Sequence, residues 1–145
     1  PREFYTLDGL QVTSGTMGMP TATVRLRDPE GNVLIHAATG TGPVDATYKA
    51  IDAVIKQKAV LQEFVIQAVT EGIDALGEVT VRIMGDEPES SLVAQTERDQ
   101  LRSFGGYGTD TDIIVASAKA YLSALNKLMA ARGYFDTPEQ AQTAA

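Results

Sequence analysis

The stretch GTGPVDATYKAID, residues 40–52, places two glycines and a proline directly before a run with helical periodicity. The apolar residues of this run, spaced by four, three and four positions, are Val44, Tyr48, Ile51 and Ile55. Such a stripe is typical of a helix that packs on one face. Pro43 suits the first turn, because an N–H at that position would have no helical partner. We therefore predict a strand-to-helix turn at residues 40–42 and a helix that begins near Pro43 and ends near KQK, residues 56–58.

A similar stretch, GYGTDTDIIVASAKAYLSALN, occupies residues 106–126. The apolar stripe that runs through it and just beyond it, with spacings of four, three, four and three, consists of Ile114, Ala118, Tyr121, Leu125 and Leu128. Thr109 followed three residues later by Asp112 is similar to a capping box, in which the two side chains satisfy free N–H groups. We predict a second helix from Thr109 to about Arg132, with Gly133 just past its end.

Three stretches with strand character precede each predicted helix. Alternating apolar and polar residues between turns rich in glycine and proline indicate strands within 4–15, 19–27, 32–39, 60–72, 78–91 and 92–106. TVRL at 23–26 matches TVRI at 80–83 with an offset of 57 residues, and GTG at 40–42 matches GYG at 106–108 with an offset of 66. The chain therefore reads as a duplicated unit with two similar strand-to-helix turns.

The pattern predicts an α+β fold of two βββα units related by pseudo-twofold symmetry, with antiparallel sheets and the helices packed on one face. We expect the 145 residues to form a single domain over 1–145. Repeat one is predicted at about 4–57, repeat two at about 60–133, and an irregular tail at 134–145. The opening PREFYTLDGL has neither an initiator methionine nor a signal peptide, so we expect a fragment of a longer protein.

The composition argues against several functional classes. Twelve basic and 19 acidic residues give a net charge of −7, whereas nucleic acids and anionic membranes need a basic face. No apolar run approaches the ~20 residues of a membrane span. The absence of cysteine excludes disulfides and thiolate metal sites and fits a cytoplasmic protein. The only histidine, His36, lies in a predicted strand without neighbouring ligand types, so we interpret it as structural and expect no metal site.

The two Gly-x-Gly turns are the best candidates for a binding site. Glycine there permits either the close approach of a ligand to the N–H groups of a helix start, or simply a turn with positive φ. No P-loop lysine follows, and the nearby acids Asp45, Asp110 and Asp112 would repel a phosphate. A free amino acid fits better, because its carboxylate suits the helix N–H groups and its ammonium group suits an aspartate.

The two stretches together resemble the LeuA dimerisation domain, the C-terminal regulatory domain of 2-isopropylmalate synthase. The family's first motif reads Gly-Asn-Gly-Pro-Val-Asp-Ala, and residues 40–46 match it except at Thr41, where asparagine is usual. The second motif contains Thr-Asp-Ile and then Ala-Ser, as residues 111–117 do. The resemblance spans essentially the whole chain. It implies two βββα units, a homodimer, and binding of L-leucine as the feedback inhibitor of leucine biosynthesis.

The resemblance also implies a parent enzyme that condenses acetyl-CoA with 2-oxoisovalerate. Its divalent-metal-dependent catalytic TIM barrel would lie N-terminal to this segment, so the fragment itself is expected to be non-catalytic and to need no cofactor. The residues that the resemblance assigns to leucine binding are Gly42, Pro43, Val44, Asp45, Leu61, Phe64, Ala68, Ala75, Gly108, Thr109 and Asp110.

Two alternatives stay open. The same fold serves as the isoleucine-sensing domain of citramalate synthase, and leucine and isoleucine differ only in methyl branching, which a pocket distinguishes by about 1–3 kcal/mol. The other alternative is a dimerisation module without a ligand. The response of the protein to leucine, isoleucine and valine separates the three hypotheses.

Overall fold

The computed structural model describes residues 4–14, 18–57, 59–70, 75–85 and 103–132, which contain two βββα units. The first consists of β1 (Thr6–Thr13), β2 (Thr21–Arg27), β3 (Val33–Thr39) and α1 (Pro43–Ile55). The second consists of β4 (Ala59–Thr70), β5 (Ala75–Gly85), β6 (Ser103–Asp110) and α2 (Ile113–Ala131). Both sheets are antiparallel, with orders β1-β2-β3 and β4-β5-β6, so the predicted fold class is confirmed. In this part of the chain neither helix is long and apolar enough to cross a membrane.

The internal repeat is visible in the strands. TVRL at 23–26 lies in β2 and TVRI at 80–83 lies in β5, the middle strand of each sheet, and alternate residues of both segments are buried. The first strand of each unit carries a bulge at the corresponding place, between residues 7 and 9 in β1 and between 61 and 63 in β4. The predicted offset of 57 therefore holds for the middle strands.

The start of the second helix differs from the prediction. Thr109 belongs to β6, where it pairs with Glu78, and it takes no part in capping. The N-cap is Asp112, whose Oδ1 accepts a hydrogen bond from the N–H of Ile114 at 2.8 Å. The predicted capping box is wrong, because a single aspartate at the N-cap satisfies the helix start while Thr109 continues the strand pairing.

The sixth strand is described only from Ser103 onwards, and the structure describes the second unit only as far as residue 132. Residues 86–102 and 133–145, including Gly133 and the predicted tail, lie outside the described residues. The sixth strand extends to Asp110, beyond its predicted end. At the end of α1, Lys56 adopts φ 64° and donates its N–H to the carbonyl of Asp52, so the helix ends next to KQK, as predicted.

The second Gly-x-Gly is part of a strand, and its glycines serve packing. A Cβ on Gly106 would collide with the carbonyl of Ala120 and lie 2.6 Å from the nitrogen of Ala124. A Cβ on Gly108 would lie 2.7 Å from the nitrogen of Ala120. The absence of side chains on this face of β6 lets the backbone of α2 approach the sheet closely.

The two helix starts correspond at an offset of 70, not 66. The N-caps are Gly42 and Asp112, and 112 minus 42 is 70. Four residues into each helix a hydroxyl bonds the carbonyl of the first helical residue, from Thr47 at 2.7 Å in α1 and from Ser117 at 2.8 Å in α2. The Gly-x-Gly match at an offset of 66 is therefore not a structural equivalence.

Helix α2 is the centre of the core. It packs across β5 and β6 and also contacts α1 and β1 of the first unit. Asn126 is buried, accepts a hydrogen bond from the N–H of Tyr5 at 3.1 Å and donates one to the Tyr5 carbonyl at 3.0 Å. An amide side chain thus ties the start of the first sheet to the helix of the second unit.

Substitution of Gly106 by alanine is expected to destabilise the domain. The new methyl group would press on the backbone of α2, and overpacking of this kind costs about 1–3 kcal/mol or more. The melting temperature should therefore fall by several degrees. Gly105→Ala is the matched control, because a Cβ there meets its nearest atom at 3.7 Å. Equal melting temperatures of the two variants in a thermal melt would contradict this account.

Candidate functional site

The start of α1 is an uncapped helix N-terminus. Gly42 is the N-cap, offers no side-chain hydrogen bond, and has open space where a Cβ would lie. Pro43 follows at the first helical position. The N–H groups of Val44 and Asp45 come next, and helix geometry leaves the first N–H groups without partners inside the helix. These two donors and the positive end of the helix dipole suit an anion.

Neither glycine of this turn needs positive φ. Gly42 has φ −159°, which is extended backbone, and among the glycines of the described residues only Gly31 has a positive φ. The prediction of a turn that requires positive φ is therefore wrong for 40–42. Gly40 is instead required by close packing, since its Cβ would lie 2.5 Å from the nitrogen of Ala46.

Asp45 folds back over the turn. Its Oδ2 accepts a hydrogen bond from the N–H of Thr41 at 2.9 Å and pairs with Nζ of Lys49 at 3.2 Å. The backbone hydrogen bond from Thr41, helped by Lys49, lowers the pKa of Asp45, so the carboxylate is ionised at neutral pH. It already holds the ammonium group of Lys49 and lies in the first turn of the helix, beside the open N–H groups.

The start of α2 is filled by its own side chains. Asp112 caps Ile114, and the carboxylate of Asp110 accepts the N–H of Asp112 at 3.0 Å. Asp110 also pairs with Lys119 at 3.0 Å. The hydrogen bond from Asp112, followed by the one from Lys119, lowers the pKa of Asp110. This start therefore carries bound carboxylates where the start of α1 is open.

Aromatic side chains lie one turn beyond the α1 start. Tyr48, four residues after Val44, meets Phe64 of β4 edge to face with ring centroids 6.2 Å apart. On its other side Tyr48 stacks on Tyr121 of α2 at 4.1 Å. Val44 and Tyr48 share a helix face at this spacing, so apolar side chains lead from the open N-terminus through the buried Tyr48 to Phe64. Tyr48 was not among the predicted site residues, although it stands in the same apolar stripe as Val44.

A family model, described as the LeuA allosteric (dimerisation) domain, matches residues 1–129. The chain belongs to the LeuA allosteric domain family. It is 44% identical over 137 residues to 2-isopropylmalate synthase 2, chloroplastic, of Arabidopsis thaliana, a match that covers 94% of the chain and 22% of the relative. It is 52% identical over 126 residues to 2-isopropylmalate synthase of Gloeobacter violaceus, covering 87% and 21% respectively. The chain thus spans about a fifth of the length of these relatives.

Only part of the leucine-binding set expected for a LeuA allosteric domain comes together within this chain. The open start of α1 consists of Gly42, Pro43, Val44 and Asp45. Phe64 contacts Tyr48, which lies one helical turn after Val44. Leu61 lies on the same strand as Phe64, in the β4 bulge, with 43% of its surface exposed.

The other members of that set lie elsewhere. Ala68 is seven residues from Leu61 along β4, roughly 23 Å away at 3.3 Å per residue, which is more than one leucine spans. Ala68 and Asp110 both pair with Gly77, and Ala75 begins β5, so these residues gather at the far end of the second sheet. Gly108 and Thr109 line a cleft of about 380 Å³ between β6, α2 and the start of β1.

Metal chemistry has no evident centre in the LeuA domain described here. Among the described residues no group of three or more histidine, aspartate or glutamate side chains could hold a metal ion. His36 is exposed on β3, opposite Val24.

The helices of the domain are joined by hydrogen bonds beside the aromatic stack. The hydroxyl of Tyr48 donates to the carbonyl of Ser117 at 3.2 Å, and the hydroxyl of Tyr121 donates to Oδ1 of Asp52 at 2.6 Å. Burial raises the pKa of both tyrosines. Burial also raises the pKa of Asp52, and the hydrogen bond from Tyr121 offsets only part of this effect.

Asp52→Asn is expected to stabilise the domain at pH 7. A carboxyl whose pKa is raised by folding contributes stability below its unfolded pKa, about 3.9, and loses it as the pH rises through the folded pKa. At pH 7, well above the unfolded pKa, the raised pKa of Asp52 therefore opposes folding. Asparagine keeps an acceptor for Tyr121 without the charge, so the variant should melt at a higher temperature than wild type, by a margin that shrinks as the pH falls.

Asp45→Asn is the matched control for this pH series. The pKa of Asp45 is lowered by folding, so its contribution is present above the unfolded pKa and is lost as the pH falls through the folded pKa. Its variant should melt slightly lower than wild type at pH 7 and match it in acid. A lower melting temperature of Asp52→Asn at pH 7 would contradict the sign derived for Asp52.

Proposed function

We propose that this chain is the regulatory domain of a 2-isopropylmalate synthase and binds free L-leucine at the start of α1. The observation that carries the proposal is the open N-terminus capped by Gly42, in a chain that belongs to the LeuA allosteric domain family. The similarity to the 2-isopropylmalate synthases of Arabidopsis thaliana and Gloeobacter violaceus supports the assignment to this enzyme.

Each part of the zwitterion has a counterpart at this site. The leucine carboxylate accepts hydrogen bonds from the N–H groups of Val44 and Asp45 and faces the helix dipole. The ammonium group meets the ionised carboxylate of Asp45. The isobutyl group lies along Val44 and Phe64, which are partly buried and pack against the apolar core that contains Tyr48. Such a site binds an amino acid without any catalytic group.

The activity and assembly of the full-length protein are proposed from its similarity to these relatives. A catalytic TIM barrel with a divalent metal, outside this segment, would condense acetyl-CoA with 2-oxoisovalerate, and leucine bound here would inhibit it. The domain would form a homodimer and act in the cytoplasm, as the acidic, cysteine-free composition suggests. It would contact neither nucleic acid nor membrane lipid.

Leucine is expected to raise the melting temperature of the chain. A ligand that binds only the folded state stabilises it by about 2.7 kcal/mol at a hundredfold excess over Kd, which corresponds to several degrees. Leucine should act more strongly than isoleucine or valine, and Phe64→Ala should weaken its effect by removing part of the apolar surface. A shift with isoleucine alone would favour the citramalate synthase alternative, and no shift with any of them would favour a ligand-free dimerisation module.

Gly42→Asp tests the position of the carboxylate. Aspartate is a good N-cap and fits extended backbone with open space, so the variant should fold as stably as wild type or better. Its side chain would accept the N–H of Val44, as Asp112 accepts that of Ile114, and would repel a carboxylate. The leucine-induced melting shift should disappear.

Asp112→Gly is the reciprocal control for this experiment. It uncaps α2, should lower the melting temperature modestly, and should leave the leucine shift intact, because the proposed site is at the other helix. A leucine shift that survives Gly42→Asp but disappears in Asp112→Gly would place the ligand at α2 and refute the proposed site.

A further inference from the structure

Strand β4 is an edge strand that presents apolar side chains on both faces. Leu61 and Ile66 oppose the buried Ile83 and Val79, so they lie on the helix side of the sheet, yet they are 43% and 49% exposed. On the other face Val65, which opposes Thr80, is 43% exposed. Monomeric domains rarely leave such a strand bare.

The internal repeat shows that the corresponding strand of the first unit, β1, is covered where β4 is exposed. The register and the matching bulges align the β1 residues Leu7, Leu10 and Val12 with the β4 residues Leu61, Phe64 and Ile66. Leu7, Leu10 and Val12 are half-buried, and α2 packs on β1. Helix α1 has 13 residues, whereas α2 has 19. The shorter helix contacts β4 mainly through Tyr48 and Phe64.

The opposite edge of the same sheet is protected. Lys127 donates to the carbonyl of Gly105 at 2.8 Å, and Lys119 donates to the carbonyl of Thr109 at 3.3 Å, so two cations occupy the outer edge of β6. Lysines on an edge discourage pairing with another strand. In β4 the only charged residue is Glu63, and no lysine is present.

We propose that β4 pairs edge to edge and antiparallel with β4 of a second copy of this chain, with Val65 at the twofold axis. This proposal rests on the homodimer of the proposed function and names its surface. The copy is favoured over another partner because the matching family model is described as a dimerisation domain, and because the strand is complementary to itself in this register.

The register follows from the side chains and from the bulge. Pairing about Val65 uses the regular part of β4 after the bulge at residues 61–63. Phe64 of each copy then lies opposite Ile66 of the other on the helix side, an aromatic and β-branched pair that is favourable in sheets. Glu63 lies opposite Gln67, so no like charges oppose each other.

Ile66→Lys tests the surface. Wild type is expected to sediment as a dimer at micromolar concentration, and the variant as a monomer, with a dimer dissociation constant raised at least a hundredfold. Ile35→Lys is the matched control, because Ile35 is an exposed isoleucine, 57% accessible, on the edge strand of the other sheet. A folded Ile66→Lys variant that remains dimeric, a wild type that is monomeric, or loss of the dimer in Ile35→Lys would overturn the proposal.

Val65→Cys tests the register in a chain that has no native cysteine. Directly opposed residues of antiparallel strands have Cα atoms about 4.5–5.5 Å apart, within reach of a disulfide. Mild oxidation should therefore give a covalent dimer with Val65→Cys and none with Ile35→Cys. A non-covalent dimer of Val65→Cys that fails to cross-link would refute pairing about Val65. The leucine shift of wild type is measured separately, so failure of the sensor and failure of this surface are distinguishable.

Discussion

The stacking of Tyr48 on Tyr121 is the contact on which the arrangement of the two βββα units depends. The rings lie 4.1 Å apart and nearly parallel, and each hydroxyl bonds to the opposite helix, at Ser117 and at Asp52. Each helix in turn packs against its own sheet. Because both rings are buried and both hydroxyls have partners, a shift of one unit against the other would break stacking and hydrogen bonds together.

The same contact links the core to the proposed leucine site. Tyr48 presents one face to Tyr121 and meets Phe64 edge to face, one turn from the open start of α1. A ligand seated along Val44 and Phe64 would therefore touch a side chain that also sets the distance between the helices. Differential contact of this kind is what a regulatory ligand needs to favour one arrangement of two packed elements over another. Asp52 accepts the hydrogen bond of Tyr121 at the same junction, and burial raises its pKa, which opposes folding at neutral pH.

The two units share a fold but use it differently. The start of α1 has a bare Gly42 at its N-cap, whereas the start of α2 is closed by Asp112 and Asp110. The edge of β6 is covered by lysines, whereas the edge of β4 is bare and apolar. The two helix starts therefore differ between the units, and the two edge strands differ within the second sheet.

Local pattern in the sequence was enough to predict the strands, the helices and the repeat of TVRL and TVRI, because these depend on periodicity and on neighbouring residues. It also singled out Gly42, Val44 and Phe64. Only the tertiary structure decided what each glycine does. The close approach of α2 makes Gly106 a packing residue, whereas Gly42 has extended backbone and open space where a Cβ would lie. Tertiary structure likewise separated Ala68 from Leu61 along β4 and brought Tyr48 against Tyr121, since contacts between segments far apart in the chain follow from how the elements pack and not from local pattern.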